Sequence, residues 1–194
     1  MVALAVIVGG TVFYRGQQHG ARDARLAEAM KVAQAPVGGG ASPDALSFPT
    51  MDAKAAEETR VFSKLLADYP GTDEGYIAEY YLGGVLVSQA KLEEARKKYR
   101  DVADHAGKNT ASLAKFALAQ IAFQENKSPE AEALLKDLLD HPTDMVSAEQ
   151  AAITLADGIK TRNPAEARKL LEPLVKESGE VAGSASKILE GLPK

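Results

Sequence analysis

The sequence predicts an all-α protein in which helical hairpins stack side by side into a solenoid. Two observations favour this fold class: the chain repeats itself beyond residue 52, and no stretch of useful length alternates apolar and polar residues as a strand would. About three full repeats are expected, preceded by a partial unit. The composition agrees, because 45% hydrophobic, 26% charged and only 6% aromatic residues are typical of a folded, alanine- and leucine-rich helical protein.

Each repeat centres on a large apolar residue followed by a small one, midway along the first helix of a hairpin. The second helix then carries an alanine, a bulky residue four positions later and an apolar residue three positions after that. Small residues at the crossing points let the helices approach closely, so that each hairpin buries its apolar face against the next. The predicted sets are Leu82, Gly83, Leu86, Ala95, Tyr99 and Val102; Leu118, Ala119, Ala122, Ala131, Leu135 and Leu138; and Leu155, Ala156, Ile159, Ala167, Leu171 and Leu174.

Helix-breaking residues mark the ends of the predicted hairpins. An upstream half-unit, with Phe62, Leu65 and Leu66, ends at Pro70. The second helices are expected to end at pairs that contain glycine or proline, because these residues cannot continue a helix without cost. These pairs are Pro70-Gly71, Ala106-Gly107, His141-Pro142 and Ser178-Gly179.

Residues 1–14 (MVALAVIVGGTVFY) carry no charge and are predicted to form a membrane anchor. A spanning helix needs about 20 apolar residues, so three interpretations compete: a signal peptide, a buried helix, or the distal part of a transmembrane helix that begins upstream. The aromatic and basic edge at Phe13, Tyr14 and Arg15 favours the anchor. The residues predicted to form the anchor are Val2, Leu4, Val6, Ile7, Val8, Phe13 and Tyr14.

The rest of the chain divides into three predicted segments. Residues 15–35 are expected to form a juxtamembrane amphipathic helix, with an apolar stripe at Leu26, Ala29, Met30 and Ala33. Residues 36–51 are rich in proline and glycine and are predicted to be a linker. Residues 52–194 form the predicted repeat domain.

The side-chain inventory argues against catalysis. The three histidines lie far apart without a second metal ligand at a suitable spacing, the chain has no cysteine, and no serine sits in a nucleophile-elbow motif. The net charge of −4 provides no general attraction for nucleic acid. We therefore expect no enzyme activity, no cofactor, no metal, no small-molecule substrate and no nucleic-acid partner, and we expect the partners to be proteins.

Residues 52–192 resemble a tetratricopeptide domain, most clearly in the block DYPGTDEGYIAEYYLGGVLVSQAKLEEARKKYRDVADHAG. The order of apolar segment, short helix, linker and repeats is similar to that of the single-pass ancillary subunits of the bacterial SecYEG translocon. The resemblance implies an inner-membrane anchor and a periplasmic repeat domain that assists secreted polypeptides or nearby envelope machinery. Repeat motifs specify no particular partner. Taken literally, the arginines that follow the apolar segment would instead place the domain in the cytoplasm.

The resemblance also implies a shallow groove, lined by the first helix of each hairpin, that takes an extended or helical peptide. Tyr80, Phe116 and Phe123 are its expected aromatic anchors, although Phe116 and Phe123 could equally fill the space between repeats. The positions transferred from the family are Ile77, Tyr80, Gly84 and Val87; Leu113, Phe116, Gln120 and Phe123; and Gln150, Ile153, Asp157 and Lys160.

Two functions fit these patterns. The first is an anchored envelope module that binds polypeptides in its groove. The second is a structural accessory subunit of a larger membrane complex, held through residues 1–35. They differ in where the affinity resides, in the repeats or in the N-terminal segment.

Overall fold

A computed structural model describes residues 20–38, 45–177 and 179–193, and it divides into two compact units, Met1–Lys91 and Leu92–Lys194. Throughout the described residues the regular structure is helical, apart from an isolated parallel bridge between Val37 and Phe48. The predicted all-α class is therefore confirmed. None of the described helices combines the length and hydrophobicity needed to cross a bilayer. The predicted anchor, residues 1–14, lies outside the described residues.

Unit 1 contains three helices: α1 (residues 20–34), α2 (Met51–Asp68) and α3 (Asp73–Ser88). Threonines cap the last two, because the hydroxyl of Thr50 accepts a hydrogen bond from the Ala53 N–H and that of Thr72 accepts one from the Gly75 N–H. The core of this unit is built on Phe62, whose ring stacks on Tyr81 with centroids 4.7 Å apart. The buried residues around it are Ala29, Leu65, Ala78 and Leu82.

The predicted stripe on α1 is covered by the chain itself. Ala29 is buried, and Leu26, Met30 and Ala33 pack against the core of unit 1. The ammonium of Lys54 donates hydrogen bonds to the carbonyl oxygens of residues 33 and 35, at 2.6 and 2.8 Å. A cation at these carbonyls satisfies groups that the end of α1 leaves unpaired, so α1 is fixed to α2.

The predicted linker is tied together at its two ends. The Gly38 N–H donates to the Phe48 carbonyl at 2.9 Å, and the Phe48 N–H donates to the Pro36 carbonyl at 3.0 Å. These bonds hold the end of α1 close to the start of α2, which lies three residues beyond Phe48.

Unit 2 contains α4 (Leu92–His105), α5 (Lys108–Gln124), α6 (Ser128–Asp140), α7 (Ala148–Ile159), α8 (Pro164–Leu171), a 3-10 turn (Leu174–Lys176) and α9 (Glu180–Glu190). From α4 to α8 each helix packs against the next one along the chain. This sequential packing is consistent with a helical solenoid.

The anchor residues predicted for the second and third repeats form the core of unit 2. All but one of them are buried, including Leu135, Leu155 and Leu171, which have no exposed surface. The exception is Leu174, which is half-buried. The boundary between the two units falls between Lys91 and Leu92, inside the first predicted repeat. Within the units, α3 packs against α2 and α4 packs against α5.

The turns that follow α3 and α5 have the same backbone geometry. Ala90 and Asn126 both adopt left-handed conformations, with φ of +58° and +60°. The next residue in each turn donates back into its helix, from Lys91 to the Leu86 carbonyl and from Lys127 to the Ala122 carbonyl. Two turns 36 residues apart therefore repeat one helix-ending motif.

The predicted end of the third repeat is wrong. The sequence predicts that its second helix ends at Ser178-Gly179, but this helix, α8, ends at Leu171. Pro173 explains the difference, because it has no N–H for a helical hydrogen bond and its ring crowds the carbonyl four residues earlier. The chain continues as a 3-10 turn and then as α9, a helix that the repeat pattern did not predict.

Candidate functional site

In unit 2, helices α5, α7 and α9 line an elongated groove. It consists of two depressions with volumes of about 440 and 750 Å³. Both are lined by Gln120, Ile153, Thr154 and Ser184, so the two depressions are continuous. A concave surface that combines apolar and polar side chains is a candidate binding site.

Helical periodicity brings these side chains to the groove. On α5 they recur at i, i+4, i+7 and i+8, and on α7 and α9 at closely related spacings. Ser147 caps α7, because its hydroxyl accepts a hydrogen bond from the Gln150 N–H at 3.2 Å. The lining residues are Phe116, Gln120, Phe123 and Gln124 on α5; Ser147, Gln150, Ile153, Thr154, Asp157, Gly158 and Lys160 on and beside α7; and Glu180, Val181, Ser184, Lys187, Ile188 and Gly191 on and beside α9.

Most of the predicted groove residues of unit 2 lie in this groove. Phe116, Gln120, Phe123, Asp157 and Lys160 line it, as do Gln150 and Ile153. Leu113 is half-buried against the core and lines neither depression.

The residues predicted on α3 belong to unit 1. Ile77, Tyr80 and Val87 are half-buried there, and the Tyr80 ring meets the Tyr81 ring edge-on with centroids 5.8 Å apart. Burial raises the pKa of the Tyr80 hydroxyl. The depression between α2 and α3 is lined on the α3 side by other residues, namely Tyr81, Gly84, Val85, Ser88 and the following Gln89. Of the predicted positions on α3, this depression therefore includes only Gly84.

Phe116 and Phe123 occupy both of the positions that the sequence allows, the groove and the space between repeats. Each packs against the core of unit 2, and each also lines the groove. The Phe123 ring lies directly over Gly158 on α7, where an added Cβ would collide with ring carbons. Phe123 thus packs between α5 and α7 and also lines the groove.

The charges of the groove balance. Asp157 and Lys160 form an ion pair with an N–O distance of 2.7 Å. Glu180 and Lys187 contribute one further acid and one further base from α9. The groove therefore has no net charge to select a partner of either sign.

Sequence reasoning missed the wall supplied by α9. A signal was available: Val181, Ala185, Ile188 and Leu192 follow Gly179 at helical spacing, and Ala185 and Leu192 are buried. This segment lies outside the 36-residue pattern, so the repeat alignment did not reach it.

Sequence reasoning also missed a buried ion-pair cluster that fixes the turn between α5 and α6. The guanidinium of Arg96, 3% exposed, donates to Glu125 at 3.0 Å and to Glu130 at 2.6 Å. The hydrogen bond from Arg96 holds the pKa of the Glu130 carboxyl below its usual value. Arg96 therefore joins α4 to both ends of the next turn.

Two histidines lie at helix ends in matching environments. The Nδ1 atoms of His105 and His141 lie 2.9 and 3.1 Å from the carbonyl oxygens four residues earlier. Each is also 3.3 Å from the carboxylate of that same residue, Asp101 or Asp137. Within the described residues no three histidine, cysteine or acidic side chains are grouped as metal ligands.

Comparisons with models of known protein families, with characterised proteins and with solved structures found no match for this chain.

Proposed function

We propose that this protein is a polypeptide-binding module and that the groove between α5, α7 and α9 holds a segment of its partner. The observation that carries the proposal is the composition of the continuous groove, in which half-buried Phe116, Phe123 and Ile153 alternate with exposed amide side chains. Half-buried aromatic residues on a rigid helical surface are the usual anchors of protein–protein contacts.

The groove suits a chain segment better than a reacting small molecule. From Gln150 to Lys160 it extends about 15 Å along α7, at about 1.5 Å per residue. Its titratable side chains are Asp157, Lys160, Glu180 and Lys187, and the first two are already paired with each other. No nucleophile with an adjacent base lies among the lining residues, which favours binding over catalysis.

We also propose that the repeats are of the tetratricopeptide kind and that the protein works in the bacterial envelope, anchored in the inner membrane. The 36-residue spacing, the buried anchor residues and the paired turns at Ala90 and Asn126 support the first part. The uncharged residues 1–14 and the family resemblance support the second. A role beside the translocon, or as a holder of secreted polypeptides, follows from the same resemblance.

The alternative, a structural accessory subunit, now depends on a shorter segment. The α1 stripe that could have docked into a larger complex already packs against Phe62 and Leu65. Of residues 1–35, this leaves the uncharged segment 1–14 as the attachment that such a subunit would use.

Site-specific photo-crosslinking tests the groove directly. A photoreactive phenylalanine analogue would replace Gln120, which is exposed in the groove, or Ala133, which is exposed on α6 and does not line it. The probe is a model protein kept unfolded by reducing and alkylating its cysteines. We expect crosslinks from position 120 and only background from position 133.

Equal crosslinking at both positions, or none at either, would contradict the proposal. The same two variants in native membranes address the alternative. If partners are captured only through a third photoreactive position within residues 1–14, the protein is an accessory subunit and the groove is scaffold.

A further inference from the structure

Resting on the proposed function, we infer that the groove recognises the main chain of an extended, uncharged segment rather than charged side chains. Such a segment occurs in polypeptides that have not yet folded. Three features of the described groove support this: its unpartnered amides and hydroxyls, its balanced charges, and its length.

The first feature is a set of neutral polar side chains without partners. Gln120, Gln124, Gln150, Thr154 and Ser184 line the groove from all three helices. Among the described residues, none of these side chains bonds to another protein group. Each amide offers donors and an acceptor, and each hydroxyl offers one donor and two acceptor lone pairs.

An extended peptide needs hydrogen-bond partners for its backbone, and these side chains provide them. Its backbone N–H and C=O groups lose bonds to water on entering a groove, and leaving them unpaired costs free energy. Amides and hydroxyls can pair with either kind of backbone group. They can therefore hold many different sequences, provided that the backbone is extended and its N–H groups are free.

The second feature is the absence of net charge in the groove. Asp157 and Lys160 form an ion pair, and Glu180 and Lys187, which line different depressions, contribute one charge of each sign. A site that selects an acidic or a basic motif would present net charge of the opposite sign. The groove instead surrounds its neutral polar groups with apolar side chains, including Phe116, Phe123 and Ile188.

The third feature is length. The distance of about 15 Å along α7 accommodates about five residues of extended chain, at about 3.3 Å per residue. Alternate side chains of such a segment would point toward the apolar wall and toward solvent. The preferred occupant is therefore a short stretch in which apolar and uncharged polar residues alternate.

The test uses the full-length chain and fluorescent peptides of alternating valine and threonine. One peptide is unmodified, and the second has the same side chains but is N-methylated at every other residue, which removes backbone donors. Two further peptides carry lysine or glutamate in place of one threonine. We expect N-methylation to weaken binding about tenfold or more, corresponding to loss of one or two net hydrogen bonds. The two charged peptides should bind within about threefold of the parent, with little dependence on salt.

A matched pair of protein variants assigns the effect to the amides. Q120L/Q150L removes two groove amides and keeps similar volume, whereas Q34L changes an exposed glutamine of unit 1. We expect Q120L/Q150L to weaken the unmodified peptide by a larger factor than the N-methylated peptide, which keeps its C=O acceptors but has lost backbone donors. Q34L should change neither affinity, and circular dichroism would verify that both variants are folded.

Equal affinity for the methylated and unmodified peptides, or strong preference for one charge, would overturn the inference. If no short peptide binds while position 120 still crosslinks the unfolded model protein, the inference fails and the proposed function stands. Loss of both signals would contradict both. Dimers that dissociate when peptide binds, seen by sedimentation, would identify a second copy of this chain as the occupant and would also overturn the inference.

Discussion

The hairpins α5–α6 and α7–α8 share their buried anchors but differ in how they end. Ala131 and Leu135 on α6, and Ala167 and Leu171 on α8, have no exposed surface. However, α6 has 13 residues and buries Leu138 one turn later, whereas α8 has 8 residues and ends before Pro173. The counterpart of Leu138 is Leu174, which lies half-buried in the 3-10 turn.

The difference shows how one short helix changes the surface of the protein. Because α8 stops early, the chain turns back and α9 packs against both α7 and α8, burying Ala185. The same α9 supplies the third wall of the groove, with Ser184, Lys187 and Ile188. The shared anchors set the packing of the hairpins, and the helix ends set the shape of the site.

The largest expected effects on stability come from substitutions that create a cavity at a shared anchor residue. L135A and L171A each remove a fully buried side chain, and we expect each to lower the free energy of unfolding by about 2–5 kcal/mol. Urea denaturation followed by circular dichroism measures both. If L171A costs less than about 1 kcal/mol while L135A costs the expected amount, the short hairpin collapses around its cavity and the two anchor positions are not equivalent.

The next effect concerns the contact between the hairpins. G158A would place a methyl group where the Phe123 ring lies, so we expect destabilisation by about 1–3 kcal/mol and displacement of the ring into the groove. Thermal unfolding measures the first, and the aromatic NMR shifts of Phe123 report the second.

Gly183 on α9 is the matched control, because a Cβ there meets nothing within 4 Å. G183A should stabilise the protein by about 0.5–1 kcal/mol, the ordinary gain of alanine over glycine within a helix. If G158A stabilises as much as G183A does, Phe123 has room to move and does not lock the hairpins together.

The turns of the two hairpins should differ in their response to charge removal. R96M deletes a buried guanidinium that bonds Glu125 and Glu130, and we expect a loss of about 1–3 kcal/mol. R162M deletes the exposed partner of Glu132, and its cost should stay below about 1 kcal/mol. Equal costs in urea denaturation would show that burial does not distinguish the two turns.

Acid should weaken the turn after α5 through Glu130. Because the hydrogen bond from Arg96 lowers the folded-state pKa of this carboxyl, its contribution is present above its unfolded pKa and is lost as the pH falls through the lower folded value. The contribution should therefore begin to decline as the pH falls below about 4.5, the ordinary value for glutamate, and should be lost only below the lower folded-state pKa. Unfolding of R96M measured from pH 6 to pH 3 should depend less steeply on pH than that of the parent chain.

The smallest effects are expected at the left-handed turn residues. A90G should stabilise by about 0.5–1 kcal/mol, because glycine adopts a positive φ without the steric cost that alanine has. N126G should change stability by less, since asparagine tolerates this conformation better than alanine does. A destabilising A90G, measured by thermal unfolding, would contradict the left-handed geometry at that turn.

The core was more predictable than the site. The buried faces of α5 to α8 follow a period that is written in consecutive residues, so Leu118, Ala131 and Leu155 could be placed from the sequence. The groove depends on contacts between distant segments. Phe123 finds its space because position 158 is glycine, and Arg96 bonds acids 29 and 34 residues away. No local pattern encodes such pairs, and the wall from α9 depends on where Pro173 stops α8.

The attachment of α1 has a mechanical consequence. Arg25 lies 3.7 Å from Asp68 near one end of α2, and Lys54 bonds the last carbonyls of α1 near the other, so the two helices run antiparallel and are clamped at both ends. Tension that enters at residue 20 along the axis of α1 would load both clamps and the contacts of Leu26 and Met30 together. Contacts that are loaded together in shear resist rupture better than contacts that are loaded one after another. A force applied at residue 20 would therefore be carried by the packed helices of unit 1.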